Sequence, residues 1–224
     1  MDFAGKTILV VGGSGALGSE MTRALVARGA RVFATCSSAA SAVRIPDQVE
    51  LKLLADLASQ ESIEVLTNYL NQSTALDGVI IASGLVGFGG AEQTSASDAL
   101  KLTQVNYLGP AQLVSALVPN LKRSAQPFVA AINGVVAEKV FPGMHAYTAS
   151  KTAFAAWLDS LRLEHRTLQV LDARPGHTET GLASRAVFGT APNFPTGMTA
   201  EHVVGRILDA LAAGETKLES ARFA

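Results

Sequence analysis

Short apolar segments alternate with longer helix-compatible stretches along the chain, and this alternation restricts the fold most strongly. Each apolar segment is about as long as one buried strand, and most lack a polar residue at every second position, which is typical of a parallel sheet covered on both faces. The predicted strands are Thr7–Val11, Arg31–Thr35, Glu50–Leu54, Gly78–Ala82, Pro127–Ile132 and Leu168–Ala173. The predicted helices are Ala16–Arg28, Ser59–Asn71, Ser97–Leu121, Ala146–His165 and Ala200–Ala213. We therefore predict an α/β fold in three layers, α/β/α, around a doubly wound parallel sheet.

The composition favours a soluble globular chain. With 224 residues, of which 48% are hydrophobic and 17% charged, the chain fits one domain over residues 1–224. The formal net charge of -1 argues against binding to nucleic acid or to a membrane surface, because phosphates attract a basic excess. The start of the chain lacks a secretion-signal pattern, and no apolar run approaches the roughly 20 residues of a membrane span. Cys36 is the only cysteine, so we expect a cytoplasmic protein.

A glycine-rich turn follows the first predicted strand and precedes the first predicted helix. It reads Val11-Gly12-Gly13-Ser14-Gly15-Ala16-Leu17-Gly18, with G-x-G-x-x-G through Gly13, Gly15 and Gly18 and a second pattern through Gly12, Gly15 and Gly18. Glycine allows a tight turn and a close approach of backbone to a pyrophosphate, and the helix start offers free N–H groups to the phosphates. In this position the motif predicts a dinucleotide site rather than a ligand-free glycine turn.

The end of the second strand bears on the choice of nicotinamide cofactor. NAD-specific sites place an acidic residue there for the ribose hydroxyls, whereas this chain has Thr35-Cys36-Ser37-Ser38. The hydroxyls of Ser37 and Ser38, with the nearby Arg44, suit a 2′-phosphate, so the sequence favours NADP over NAD. Alternatively, both serines only cap the next helix.

Tyr147 and Lys151 stand four residues apart in His145-Ala146-Tyr147-Thr148-Ala149-Ser150-Lys151, which places them on one helix face. A phenol has an ordinary pKa of about 10 and is a poor base at neutral pH. A neighbouring ammonium is expected to lower that pKa, so that the phenol can exchange a proton with a substrate oxygen. Taken alone, the spacing also fits an ordinary surface pair.

With these motifs in place, the chain resembles the short-chain dehydrogenase/reductase family over nearly its whole length. The matching pieces are the first glycine turn, Asp56-Leu57, Ala82-Ser83-Gly84, Asn106 in Val105-Asn106-Tyr107-Leu108-Gly109, Tyr147 with Lys151, and Pro175-Gly176-His177-Thr178-Glu179-Thr180. The resemblance implies a Rossmann-type fold and reversible hydride transfer between a nicotinamide and an alcohol or carbonyl.

The resemblance also implies roles for individual residues. Tyr147 would be the general acid/base, Lys151 its pKa modulator and a ribose ligand, and Asn106 the holder of a proton-relay water. The expected cofactor-binding residues are Gly12, Gly13, Ser14, Gly15, Leu17, Gly18, Ser37, Ser38, Asp56, Leu57, Ala82, Ser83, Gly84, Lys151, Pro175, Gly176, Thr178 and Thr180.

Two departures from the family pattern stand out. The family usually has Asn-Asn-Ala-Gly after the fourth strand, where this chain has Ile81-Ala82-Ser83-Gly84. The family also places a serine about thirteen residues before the tyrosine, to hydrogen-bond the substrate oxygen. Here that position is Gly134, and no hydroxyl lies within Ile132-Asn133-Gly134-Val135-Val136. The amide of Asn133 could supply the donor if its side chain faces the pocket.

Apolar residues in the loops after the strands predict a small or medium-sized apolar substrate. These residues are Val86, Phe88, Phe141, Met144, Leu182 and Phe188. The irregular segment Thr180–Gly197 has the length of a lid or binding loop. His145, His177 and Glu179 match no standard metal-ligand spacing, so we predict no metal site.

The leading functional hypothesis is therefore an NADP-linked carbonyl reductase or alcohol dehydrogenase. The alternative is a nucleotide-binding sensor or regulatory protein with little catalysis, which the missing serine supports. An epimerase or dehydratase on the same fold ranks third. Apolar faces on the predicted helices Ser97–Leu121 and Ala146–His165, with the family resemblance, predict a homodimer or homotetramer.

Overall fold

The structure is a computed structural model that describes residues 1–223, and it consists of one seven-stranded sheet with helices on both faces. The strands are β1 (Thr7–Val11), β2 (Arg31–Cys36), β3 (Leu51–Leu54), β4 (Gly78–Ile81), β5 (Phe128–Ile132), β6 (Gln169–Ala173) and β7 (Lys217–Leu218). The helices are α1 (Ala16–Ala27), α2 (Ala39–Ala42), α3 (Gln60–Ser73), α4 (Ala96–Thr103), α5 (Gly109–Leu121), α6 (His145–Glu164) and α7 (Ala200–Ala212). This architecture confirms the predicted doubly wound α/β fold.

All strand pairs are parallel, and the order across the sheet is β3-β2-β1-β4-β5-β6-β7. The winding reverses between β1 and β4, because the chain builds outward in one direction to β3 and then in the other from β4. The loops that leave β1 and β4 therefore part in opposite directions at the carboxyl edge of the sheet. That crevice is where ligands bind in open parallel sheets.

Two apolar clusters, one on each face of the sheet, hold the layers together. One lies under α3, α5 and α6 and includes Leu66, Leu117 and Phe154, and the other lies under α1 and α7 and includes Met21 and Ile207. The central strands are buried on both faces, which explains why their sequences are continuous apolar runs.

Three features differ from the sequence-based expectation. The predicted helix Ser97–Leu121 is interrupted between α4 and α5 by a π-helical turn at Gln104–Leu108. The short elements α2 and β7 were not predicted, because four and two residues are too few to show a periodicity.

Within residues 1–223, no helix is both long and apolar enough to cross a membrane.

Asn120 near the end of α5 fixes the connection from α3 to β4. Its Oδ1 accepts a hydrogen bond from the Leu76 N–H at 2.8 Å, and its Nδ2 donates to the carbonyls of Leu70 and Thr74 at 3.0 and 2.8 Å. The side chain is buried, so it replaces water as the partner of these backbone groups.

We expect Asn120→Ala to lower the free energy of unfolding by roughly 2–4 kcal/mol, because it removes the hydrogen-bond partner of the Leu76 N–H and of the Thr74 carbonyl. Urea denaturation followed by circular dichroism measures the change. The matched control is Asn71→Ala, which removes an exposed amide with one 3.1 Å bond to Ala116 and should cost less than about 1 kcal/mol. Equal losses of stability in the two variants would contradict the proposed role of Asn120 in fixing the connection from α3 to β4.

Candidate active site

The loops at the carboxyl edge of the sheet enclose a cavity of about 1130 Å³. It runs from the glycine turn after β1, past the ends of β2 to β4, to the start of α6 and the loop after β6. Most of the predicted site residues lie on its walls. Four of them do not line it and instead make contacts within the protein: Gly13, Gly18, Ser38 and Asn106.

The glycine turn forms one end of the cavity. Gly12 has a φ of +86°, which favours glycine, and a Cβ on Gly18 would lie 2.0 Å from the Gly12 carbonyl oxygen. Gly13 instead packs against Ala34 of β2, where a Cβ would be 2.7 Å from the alanine methyl. The first turn of α1 has neither a side-chain cap nor an acidic residue. Its N–H groups and positive dipole end are therefore suited to an anionic group such as a pyrophosphate.

The end of β2 separates the two serines that the sequence analysis treats together. Ser37 lines the cavity, whereas Ser38 caps α2, with its Oγ accepting from the Ser41 N–H at 3.3 Å. The alternative that the serines only cap the next helix therefore holds for Ser38. Arg44 lies close by, and its Nε donates to the Ser14 carbonyl at 3.2 Å, which holds the guanidinium beside the glycine turn.

The segments after β3 and β4 form the adjoining wall, with Asp56, Leu57, Ala82, Ser83 and Gly84. The Ser83 Oγ is buried without a hydrogen-bond partner among the described residues. A buried hydroxyl of this kind is costly unless a ligand or water completes it.

Tyr147 and Lys151 occupy consecutive turns of α6 and both line the cavity. Lys151 is buried, and its Nζ donates to the Ile132 carbonyl at the end of β5 at 3.0 Å. A Cβ on Gly84 would lie 3.2 Å from Lys151 Nζ and 3.4 Å from Asn106 Oδ1. The structure therefore brings Lys151, Asn106 and the loop after β4 together at one point.

The acid–base state of this pair differs from the expectation. Burial raises the pKa of Tyr147 to about 12, and it lowers the pKa of Lys151 to about 8, although the carboxylate of Asp172 opposes that second change. The predicted lowering of the tyrosine pKa by Lys151 is absent, because desolvation is the dominant effect on the phenol. At neutral pH, Tyr147 consequently keeps its proton and Lys151 is charged.

Asn106 lies in the π-helical turn between α4 and α5, behind the cavity wall. Its Oδ1 accepts from the Leu85 N–H at 2.8 Å, and its Nδ2 donates to the Leu85 carbonyl at 2.9 Å and to Ser150 Oγ at 3.0 Å. The amide thereby joins the loop after β4 to α6. Its side chain makes hydrogen bonds within the protein and does not line the cavity.

Asn133 and Gly134, where the resemblance implies a hydroxyl, follow β5 directly. Asn133 is buried, and its Nδ2 donates to Asp172 Oδ1 at 2.7 Å, while its own Oδ1 has no partner among the described residues. The amide N–H that could replace the serine hydroxyl thus points to Asp172. Gly134 has a φ of +82° and a ψ of 166°, a conformation that residues with a Cβ rarely adopt.

The far end of the cavity is apolar, as the sequence predicts, but one of the aromatic residues that line it differs from the prediction. Val86, Phe88, Phe141, Met144 and Leu182 line it. Phe188 does not, because its ring packs on the backbone of Gly87. Phe194 takes that place and stacks on His177 with ring centroids 4.6 Å apart. Sequence reasoning missed Phe194, since nothing in an irregular loop indicates which aromatic ring turns inward.

The segment Thr180–Gly197 lies over this apolar end. The Val187 N–H donates to the Val86 carbonyl at 2.9 Å, and the Phe88 N–H donates to the Phe188 carbonyl at 3.0 Å. These two bonds attach the segment to the loop after β4, so residues from both form the walls of one chamber.

Comparisons with known proteins agree with the fold. A sequence model of the short chain dehydrogenase family matches residues 6–187. A Drosophila melanogaster protein named dehydrogenase/reductase SDR family protein 7-like is 27% identical over an alignment of 231 positions, which spans 94% of this chain and 71% of the relative. A short chain dehydrogenase from Burkholderia cenocepacia J2315, solved with NADP, superimposes with a TM-score of 0.85 at 21% identity, over 99% of this chain and 91% of the other. A short chain dehydrogenase/reductase from Burkholderia phymatum, solved with NAD, gives a TM-score of 0.87 at 17% identity, over 98% and 90%.

We expect that a serine cannot be restored at position 134 without loss of stability. Gly134→Ser should lower the free energy of unfolding by about 1–3 kcal/mol, because the cost lies in the backbone conformation. Crowding is a minor factor, since a Cβ there meets only the Pro175 carbonyl oxygen at 3.6 Å. Gly205→Ser in α7, where nothing lies within 4 Å, is the control and should be neutral or slightly stabilising. Chemical denaturation compares them, and equal stabilities would refute the conformational argument.

Proposed function

This chain belongs to the short-chain dehydrogenase/reductase family of oxidoreductases, and from that membership we propose that it is an NADP-preferring carbonyl reductase or alcohol dehydrogenase for a small or medium-sized apolar substrate. One observation carries the proposal: Tyr147 and Lys151 line the same cavity as the glycine turn and the apolar chamber. A proton donor, a phosphate-binding turn and a site for an apolar substrate therefore share one enclosed space.

The residues present fit a nicotinamide dinucleotide. The glycine turn presents backbone to the cavity at Gly12 and Gly15, the start of α1 is uncapped, and Ser83 has an unpaired buried hydroxyl. When bound, the cofactor supplies or accepts the hydride. We assign its phosphates and ribose to a set of residues on the first half of the fold: Gly12, Ser14, Gly15, Leu17, Ser37, Arg44, Asp56, Leu57, Ala82, Ser83 and Gly84. We assign its nicotinamide end to Lys151, Pro175, Gly176, Thr178 and Thr180.

Tyr147 acts as the proton donor in the proposed reduction. Its pKa of about 12 keeps the phenol protonated at neutral pH, which suits transfer of a proton to a carbonyl oxygen that gains negative charge. Lys151 contributes a positive charge next to the same oxygen and to the phenolate that remains. The apolar walls exclude water, so that these charges act in a medium of low polarity.

The missing hydroxyl at position 134 limits the rate. Loss of one oxyanion donor typically costs about 10²–10³ in kcat. We therefore infer a slow reductase, or one whose substrate carbonyl is intrinsically reactive. The same feature favours the alternative, a nucleotide-binding sensor or regulator with little catalysis, because the conformation of Gly134 opposes any hydroxyl at that point.

Several broader expectations stay predictions. They are a single domain over residues 1–224, a cytoplasmic location and self-association as a homodimer or homotetramer. The exposed apolar side chains of Leu100 and Leu108, on the outer side of the helical segment around the π-helical turn, support self-association.

We expect Tyr147→Phe to lower the rate of ketone and aldehyde reduction by about 10²–10⁴, because it removes the proton donor but little volume. The absorbance of NADPH measures the rate, and calorimetry should show an almost unchanged Kd for NADPH. Tyr69→Phe on α3 is the control, since it removes the hydroxyl of an exposed tyrosine. Tight NADPH binding with no turnover in the native protein, on a broad substrate panel, would instead support the sensor hypothesis.

We expect Arg44→Ala to weaken NADPH binding by about 10- to 150-fold and to leave NADH binding unchanged, because a charged hydrogen bond to the 2′-phosphate contributes about 1.5–3 kcal/mol. Calorimetry with both cofactors gives the ratio. Arg23→Ala removes a comparable guanidinium from the exposed side of α1 and should change neither Kd. A parallel loss for NADPH and NADH would place Arg44 away from the 2′-position.

A further inference from the structure

Three charged side chains are buried in residues 1–223, and all lie beside the candidate active site. Lys151 is 4% exposed, Asp172 1% and Arg174 7%. Every other lysine, arginine, aspartate and glutamate of the described residues reaches solvent to a greater extent. Because burial of an unpaired charge is costly, such a cluster needs an internal balance of charge.

Strand alternation explains why the three charges meet. Val170 of β6 packs in the apolar cluster under α6, and side chains two residues apart on a strand share a face. Asp172 and Arg174 consequently face α6 as well. On that helix, Phe154 belongs to the same cluster, and Lys151 lies one turn before it on the same side.

The carboxylate of Asp172 is held firmly from two sides. Arg174 approaches its Oδ2 with Nε at 2.7 Å and Nη2 at 2.6 Å, and Asn133 Nδ2 donates to its Oδ1 at 2.7 Å. The remaining guanidinium nitrogen Nη1 of Arg174 donates to the Ala137 carbonyl at 3.2 Å. Because an ionised carboxylate accepts only, it also fixes the orientation of the Asn133 amide.

Lys151 completes the cluster without a direct hydrogen bond to that carboxylate. Its Nζ donates to Ile132, the residue just before Asn133, so the ammonium and the carboxylate lie at the same strand end. Burial lowers the pKa of Lys151 to about 8, and Asp172 is the group that opposes this change. Arginine stays protonated in proteins, so Lys151 is the one of the two cations in the cluster that can lose its charge.

Other groups near Lys151 do not offer a second counter-charge. On its own helix, Tyr147 keeps a neutral phenol at physiological pH, because burial raises its pKa to about 12. The π-helical turn and the loop after β4 bring the neutral Asn106 and Gly84. The cavity walls that reach solvent carry further titratable side chains, none of which is buried: Lys101, His177, Glu179, Asp56 and Arg185.

We propose that Asp172, clamped by Arg174 and Asn133, is a positioning residue of this active site: its carboxylate is the buried counter-charge that holds Lys151 as an ammonium ion against the cavity. The catalytic consequence rests on the proposed function, in which Lys151 supports proton transfer from Tyr147. The Asn133 amide thereby serves the lysine rather than the substrate oxygen.

The test measures the charge state of Lys151 directly in the ligand-free protein. The seven lysines are labelled with ¹³C at Cε, and the signal of Lys151 is assigned by its loss in Lys151→Met. We expect Asp172→Asn to lower the titration midpoint of Lys151 by about 1–3 pH units, the usual effect of removing an adjacent opposite charge. Asp47→Asn removes a carboxylate that is 94% exposed and should leave the midpoint unchanged.

A second variant covers the case in which Asp172→Asn fails to fold because Arg174 is left buried without a partner. Asp172→Asn with Arg174→Met removes both charges of the pair. The Lys151 midpoint should again fall, because the carboxylate is the charge that acts most strongly on the lysine. A midpoint equal to that of the native protein in a folded variant overturns the proposal.

Enzyme kinetics separate this proposal from the proposed function. If the protein reduces carbonyls, kcat should fall as the pH rises through the Lys151 midpoint, and in Asp172→Asn the fall should move to lower pH together with the NMR midpoint. An NMR change without any turnover would support the counter-charge and contradict the reductase. Turnover whose pH profile is the same in both proteins would contradict a role of Asp172 in catalysis.

Discussion

The parallel pairing of β1 with β4 is the constraint on which the rest of the structure depends. Because β1 lies between β2 and β4, the chain winds in both directions from one central pair, and the carboxyl ends of all strands meet at one edge. The crevice at that edge joins the glycine turn after β1, which we propose as the phosphate site, to residues that follow β5 and β6, more than a hundred positions later. Neither half of the chain contains a complete site.

The chemistry of the site follows from desolvation. The same enclosure that excludes water keeps the proton on Tyr147 and works against the charge on Lys151. A buried ammonium persists only with a counter-charge, and the strand next to β5 carries one in Asp172. The Asn133 amide at the end of β5 is thereby bound to Asp172, and the next residue, Gly134, has a positive φ that disfavours any side chain.

Much of this could be predicted from the sequence because the relevant signals are local. A buried parallel strand has to be a short apolar run, so six of the seven strands and the five longer helical stretches were recognisable, with ends shifted by at most two residues. The two-residue strand β7 and the π-helical turn at Gln104–Leu108 have no periodic signal. Whether Ser37 or Ser38 faces the cavity depends on where α2 begins, and only the fold shows this.

By itself, the sequence determined the fold class, the glycine turn and the shared helix face of Tyr147 and Lys151, because each depends on spacing along a single element. Only the tertiary structure decided the direction of the Asn133 amide, the replacement of Phe188 by Phe194 in the chamber and the charge balance at Lys151. These features depend on contacts between side chains distant in sequence and on their removal from water, and neither is encoded in the spacing of any one segment.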